Sequence, residues 1–206
     1  MNIDKSDLLN SILESLSQID YIKLGEIPNI DLYMDQVTTF MDARLNATKR
    51  YENDKVLTKT MINNYAKNNL LPPPNKKKYS KDHILILLFI YYFKNILTIK
   101  DIQMMLKPIT EKYFASGSDI DISAIYEEIC NNETIQMESC KKSVKAAFGK
   151  SQETFKNAPL EDQEHLQLFA FIYSLSFDVY MKKLLIEKLI DQLPNPQEEK
   201  NSKEKK

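Results

Sequence analysis

The residues with the most chemistry to offer lie close together. Lys59, Thr60, Asn63, Asn64 and Lys67 fall within nine positions, and Lys76, Lys77 and Lys78 follow after three consecutive prolines. Asparagine can bond an adenine edge bidentately through N6 and N7, and short polar side chains on a helix reach base edges in a major groove. Lysines beside such a helix neutralise phosphates and add affinity without sequence information. Neither arginine, Arg44 or Arg50, falls within these groups, so the strongest guanine contact is missing and any preference should lean to A·T pairs. Catalytic signals are thin by comparison. His83 and His165 are the only histidines, each on an expected helix without a ligand partner at metal spacing, and both are read as surface residues. Asp35-Gln36 and Glu127-Glu128 read as solvated helix faces, and no glycine-rich loop offers a phosphate cradle. Catalysis, a metal and a cofactor are not expected.

The charge distribution supports the same region. Residues 1–43 carry two basic and eight acidic side chains, a net of −6, whereas residues 44–81 carry ten basic and two acidic, a net of +8. The whole chain nets only −1, so the feature is local. A basic block between acidic flanks is the footprint that a phosphate backbone selects.

The elements that must carry these residues follow from periodicity and punctuation. Three glycines in 206 residues leave few positive-φ turns and favour helices over hairpins. Ser6-Asp7 caps a first helix to about Gln18, with Leu8, Leu9, Ile12, Leu13 and Leu16 on one stripe. Met34, Val37, Phe40, Met41 and Leu45 give a second helix over about 33–46, followed by a polar loop over 47–57. Thr58 caps a short helix of about 59–68 with Met61, Ile62 and Tyr65 inward, which turns Asn63, Asn64 and Lys67 outward. Pro72, Pro73 and Pro74 end it, and residues 76–79 fit only a strand or loop. Ser80 caps an apolar helix of about 81–96, and Thr98 with Asp101 opens a short helix ending at Pro108. Further helices are expected at about 122–131, 134–149 and 160–193, with a charged, disordered tail from about 195 to 206.

The run from Leu57 to Pro74, then Lys77-Lys78-Tyr79-Ser80, resembles the MerR-type winged helix-turn-helix, as does Leu97-Thr98-Ile99-Lys100-Asp101-Ile102. The stretch Ile30-Asp31-Leu32-Tyr33-Met34-Asp35-Gln36-Val37-Thr38-Thr39-Phe40, taken with Thr58 to Tyr65, is similar to a bacterial family known as domain of unknown function 1836, over about residues 27–110. The MerR resemblance implies that Tyr65 and Tyr79 pack helix against wing and point hydroxyls at phosphate. It sets Asn63 where that family has a phosphate-binding arginine, Asn64 on its first tyrosine and Lys77 on its wing arginine. It also implies pairing of the helices that follow.

The expected protein is therefore mostly α: an N-terminal helix over 1–26, a MerR-like winged helix-turn-helix with a short β wing over 27–110, and a helical C-terminal region over 119–194. Its expected job is regulation of transcription by binding double-stranded DNA through Lys59, Thr60, Asn63, Asn64, Tyr65, Lys67, Lys76, Lys77, Lys78 and Tyr79. The competing expectation is a non-enzymatic adaptor whose basic face meets an acidic protein. The apolar side chains of 160–193 occupy more than one stripe and suggest a homodimer. The longest uncharged apolar stretch, Leu166 to Phe177, has twelve residues against the roughly twenty of a membrane span. Cys130 and Cys140 form no CxxC pair and are expected as packed, reduced thiols, so the expected location is the cytoplasm. The sequence names no small-molecule effector.

Overall fold

A computed structural model describes residues 5–16 and 22–194. The expected tail over 195–206 lies outside the described residues. The chain divides into two compact units, one of residues 1–17 with 131–186 and one of residues 18–130 with 187–206.

The unit of residues 18–130 is built around one buried helix. Strand β1 (Leu32–Tyr33) leads into α2 (Met34–Arg44), then come α3 (Lys59–Lys67), strand β2 (Lys78–Tyr79), α4 (Lys81–Phe93), α5 (Ile99–Tyr113) and α6 (Ile122–Cys130). Helix α4 is apolar on every side, so it must be covered on every side. Leu85, Ile86, Leu87, Leu88 and Ile90 accordingly have at most 1% of their surface exposed. Val37 and Met41 of α2, Leu45 just after it, Ile62 of α3, Ile102 and Leu106 of α5, and Ile122 of α6 are buried as well, and α4 itself packs against α6 and β2. Tyr126 of α6 meets Phe89 edge-on at 5.6 Å, and its hydroxyl donates to the Ile22 carbonyl at 2.8 Å. That bond ties together the two ends of the unit, which reaches beyond the 27–110 stretch on both sides.

Helix starts follow the side-chain chemistry. Thr58 Oγ1 accepts the Met61 N–H at 3.2 Å, and Thr98 with Asp101 forms a reciprocal box in which each side chain accepts the other's N–H. Proline did not end α5 as expected. Pro108 sits inside a helix that runs on to Tyr113. Its ring lies on the exposed side of the helix, where the carbonyl it leaves unpaired can meet water, and Thr110 Oγ1 donates to the Lys107 carbonyl one turn back.

Residues 46–58 are not a free loop. Thr48 bonds the Tyr91 hydroxyl, Lys94 Nζ donates to the Val56 carbonyl at 2.8 Å, and Val56 and Leu57 are buried. Burial also holds the Lys94 ammonium below the usual lysine range, over the Tyr91 ring at 4.8 Å.

The other unit contains α1 (Lys5–Leu16), α7 (Glu133–Gln152) and most of α8 (Leu160–Ile190). Leu9 and Leu13 of α1 are buried. Phe148 and Phe171 meet edge-on at 5.3 Å, and Gln167 Nε2 donates to the carbonyls of Gln152, the last residue of α7, and of Thr154 just after it. Cys130 is half-buried, whereas Cys140 is exposed rather than packed, because α7 has no continuous apolar face to bury. Among the described residues no helix is long and apolar enough to cross a membrane.

Candidate nucleic-acid interface

Helix α3 presents the face its periodicity dictates. Ile62 and Tyr65 are buried and Met61 is half-buried, so Lys59, Thr60, Asn63, Asn64 and Lys67 are turned to solvent together. The helix stops without a glycine. Asn69 takes φ 55°, its N–H bonds the Ala66 carbonyl at 3.1 Å, and the Leu70 N–H bonds the Tyr65 carbonyl at 2.9 Å. This is the six-to-one, five-to-two pattern of a Schellman end, with asparagine tolerating the left-handed position.

Strand β2 pairs antiparallel with β1, with Leu32 opposite Tyr79 and Tyr33 opposite Lys78. A two-residue strand leaves no periodicity to read, and β1 was not anticipated. Because β1 runs straight into α2, and both β2 and α3 contact α2, this pairing assembles the helix and the basic segment on one frame.

The tip of that segment is a tight turn. Lys78 N–H bonds the Asn75 carbonyl at 2.8 Å, while Lys76 and Lys77 take φ 46° and 65°. Two successive positive φ angles closed by such a bond are the signature of a type I′ turn, which prefers Asn-Gly at those positions. Here both positions hold lysine, and both side chains are exposed. Lys78 is half-buried, its ammonium 5.3 Å from the Tyr33 ring centre.

Tyr65 and Tyr79 are core residues, 5% and 3% exposed, and burial raises both phenols above their usual range. Their packing role agrees with the expectation, but burial leaves little of either side chain to meet a phosphate.

His83 corrects the sequence reading more sharply. It is buried, not a surface residue. Nδ1 accepts the Ser80 N–H at 3.0 Å and lies 2.8 Å from Ser80 Oγ, while Nε2 lies 3.4 Å from the Pro73 carbonyl. Tyr79 and Phe114 pack edge-on against the ring. The acceptor role of Nδ1 requires the neutral imidazole, with its proton on Nε2 facing Pro73. Burial accordingly lowers its pKa below the usual histidine value. The signal was present in the spacing Ser80-x-x-His83, in which histidine takes the place of the glutamate or glutamine of a capping box.

The acidic and basic blocks, separate in sequence, meet in space. Lys59 pairs with Asp35, Lys49 with Asp42 at 2.9 Å, and Arg44 with Glu26 at 2.8 Å. The Lys49 ammonium holds the Asp42 carboxyl below the usual carboxylate range. Lys55, Lys67, Lys76, Lys77 and Lys81 have no ion pair among the described residues. An open groove of about 470 Å³, lined by Thr38, Thr39, Asp42, Lys55, Thr58 and Lys59, runs between α2 and the start of α3. It brings hydroxyl donors that sequence reasoning had not assigned beside the exposed helix.

The arrangement defines a small helical domain that displays a short polar helix and a lysine turn from one two-stranded frame. The family described as Domain of unknown function (DUF1836) matches residues 22–129, and the chain belongs to it. No curated protein and no solved structure matches the chain.

Proposed function

We propose that this protein binds double-stranded DNA as a transcription regulator, in the manner of a MerR-like winged helix-turn-helix. Helix α3 is the recognition helix, and the 75–78 turn is the tip of the wing. In the major groove Asn63 and Asn64 bond base edges, with a preference for adenine, while Thr60 and Lys67 flank them. Lys76 and Lys77 rest on phosphate, with Lys78 behind them.

The observation that carries this reading is the lysine pair at positive φ. Non-glycine residues at such angles are uncommon and carry a cost of order 1 kcal/mol each. Asn-Gly would relieve that cost, so two exposed lysines in their place indicate a use for their charges outside the fold. The test is the double variant Lys76→Asn/Lys77→Gly. It should raise the melting temperature, weaken binding to every duplex sequence alike, and reduce the slope of log affinity against log salt by about two. A variant that is more stable yet binds DNA with an unchanged salt slope would remove the turn from the interface.

One observation favours the adaptor reading instead. Folding matches Arg44, Lys49 and Lys59 to carboxylates, which weakens the field left for phosphate. The remaining lysines would then meet an acidic protein surface, and duplex DNA would bind weakly at any salt concentration.

A further inference from the structure

Helix α2 lines a second pocket, open to solvent and about 370 Å³ in volume. Pro28, Leu32 and Phe40 form its apolar side, and Asp35, Gln36 and Thr39 its polar side. That volume falls in the range of small-molecule clefts, where apolar walls hold the body of a ligand and a few polar groups orient it.

The polar groups specify a cation. The Asp35 carboxylate only accepts hydrogen bonds, the Thr39 hydroxyl can accept one, and the two stand one helical turn apart on α2. Gln36 Oε1 is already taken by the Tyr33 N–H at 2.8 Å, which leaves the carboxylate as the strongest acceptor. No lysine or arginine lines the pocket. Asp31, next to Leu32 in the chain, has no ion pair among the described residues and adds to the negative field. An ammonium group, with three donors and no acceptor, matches this set.

The pocket is also connected to α3. Asp35 is the carboxylate that pairs with Lys59, and Thr39 lines both this pocket and the groove that Lys59 lines. The Asp35–Lys59 pair thus reaches from one cavity to the other. Its side chains are 73% and 60% exposed, so the pair is weak and a second cation can take the place of Lys59.

We infer that this pocket takes a small primary ammonium ion with a compact apolar body, which sets its nitrogen on Asp35 and Thr39 and frees Lys59 for the DNA interface. The transfer of Lys59 to phosphate rests on the proposed DNA binding, whereas the cation site does not. The coupling is reciprocal, so DNA raises affinity for the cation by the same factor.

The probes are phenethylammonium and phenethyl alcohol, which share a body and differ in charge. In a nuclear magnetic resonance titration of the full chain without DNA, phenethylammonium should shift the amide signals of Leu32, Asp35 and Phe40 saturably, and the Lys59 side-chain signals with them. Phenethyl alcohol should bind several-fold more weakly and leave the Lys59 side chain unmoved. Asp35→Asn, an exposed change that keeps the fold, should abolish the difference between the probes. On a random duplex at matched ionic strength, saturating phenethylammonium should steepen the slope of log affinity against log salt by about one. Asp35→Asn should do the same without a probe and gain nothing from one. Equal binding of the two probes to the wild type, or a preference that survives Asp35→Asn, overturns the site. Binding that leaves the Lys59 side chain unmoved overturns its release. Absence of any DNA binding by the wild type sinks the DNA-binding reading instead, and the titration without DNA still decides both the site and the release.

Discussion

Two asparagines and a tyrosine on α3 separate recognition from folding. Asn63 and Asn64 are exposed, and Tyr65, their neighbour in sequence, is buried. Exposed substitutions usually change stability by no more than about 0.5 kcal/mol, so Asn63→Ala and Asn64→Ala should fold normally. On a preferred duplex each should cost about 1–3 kcal/mol, with almost no loss on a scrambled one, because only base contacts discriminate. Tyr65→Ala should act in the opposite sense, lowering stability by about 3 kcal/mol or more through lost packing while removing no base contact. Paired titrations on preferred and scrambled duplexes, with a melt of each variant, make the comparison. Equal losses on the two duplexes would mean that α3 does not read bases.

His83 gives a second prediction at the same scale. Its folded pKa lies below the unfolded value of 6.5, because burial disfavours the charged ring. The unfolded chain therefore binds a proton that the folded chain refuses as pH falls below about 6.5. The contribution of His83 is fully present above that pH and is lost as pH falls towards the lowered value. The urea midpoint should therefore drop between pH 7.5 and 5.5. His83→Gln keeps an acceptor for the Ser80 N–H and has no proton to gain, so its midpoint should drop less. Equal drops in the two proteins would show that the Ser80–His83–Pro73 link does not titrate.

At the scale of elements, what could be read was what local chemistry decides. Thr58, and Thr98 with Asp101, mark helix starts through bonds made within four residues, so the starts of α3 and α5 were legible, whereas α3 is ended at Asn69 and not at the proline triplet. The inward and outward faces of α3 were legible too, because Ile62 and Tyr65 set its one buried side. Three features escaped because each depends on a distant partner or a tolerated cost. Strand β1 exists only through its pairing with β2, some 45 residues away. Pro108 is accommodated because its side of α5 faces solvent. Lys76 and Lys77 hold φ angles that their residue types do not advertise, so the turn read only as strand or loop. The candidate site was thus legible as a set of residues and not as a geometry. The buried fate of Tyr79 and His83 depends on packing of β2 against α4 and of the His83 ring against Phe114.

At the scale of the molecule, the linear charge pattern overstates the basic field. Acidic residues of 26–42 fold against Arg44, Lys49 and Lys59, so the +8 of residues 44–81 is not all available to a ligand. The family match ends at residue 129, near the end of the compact unit that holds α3 and the lysine turn, and α7 and α8 follow it.

The most direct measurement is an anisotropy titration of the intact protein against a labelled random-sequence duplex at 50 and 200 mM salt. With three to four lysines on phosphate, the account predicts an affinity that falls roughly 40- to 150-fold between the two concentrations. An affinity that is immeasurably weak at 50 mM salt, or that does not change between the two, would contradict DNA binding and leave the basic face to a protein partner.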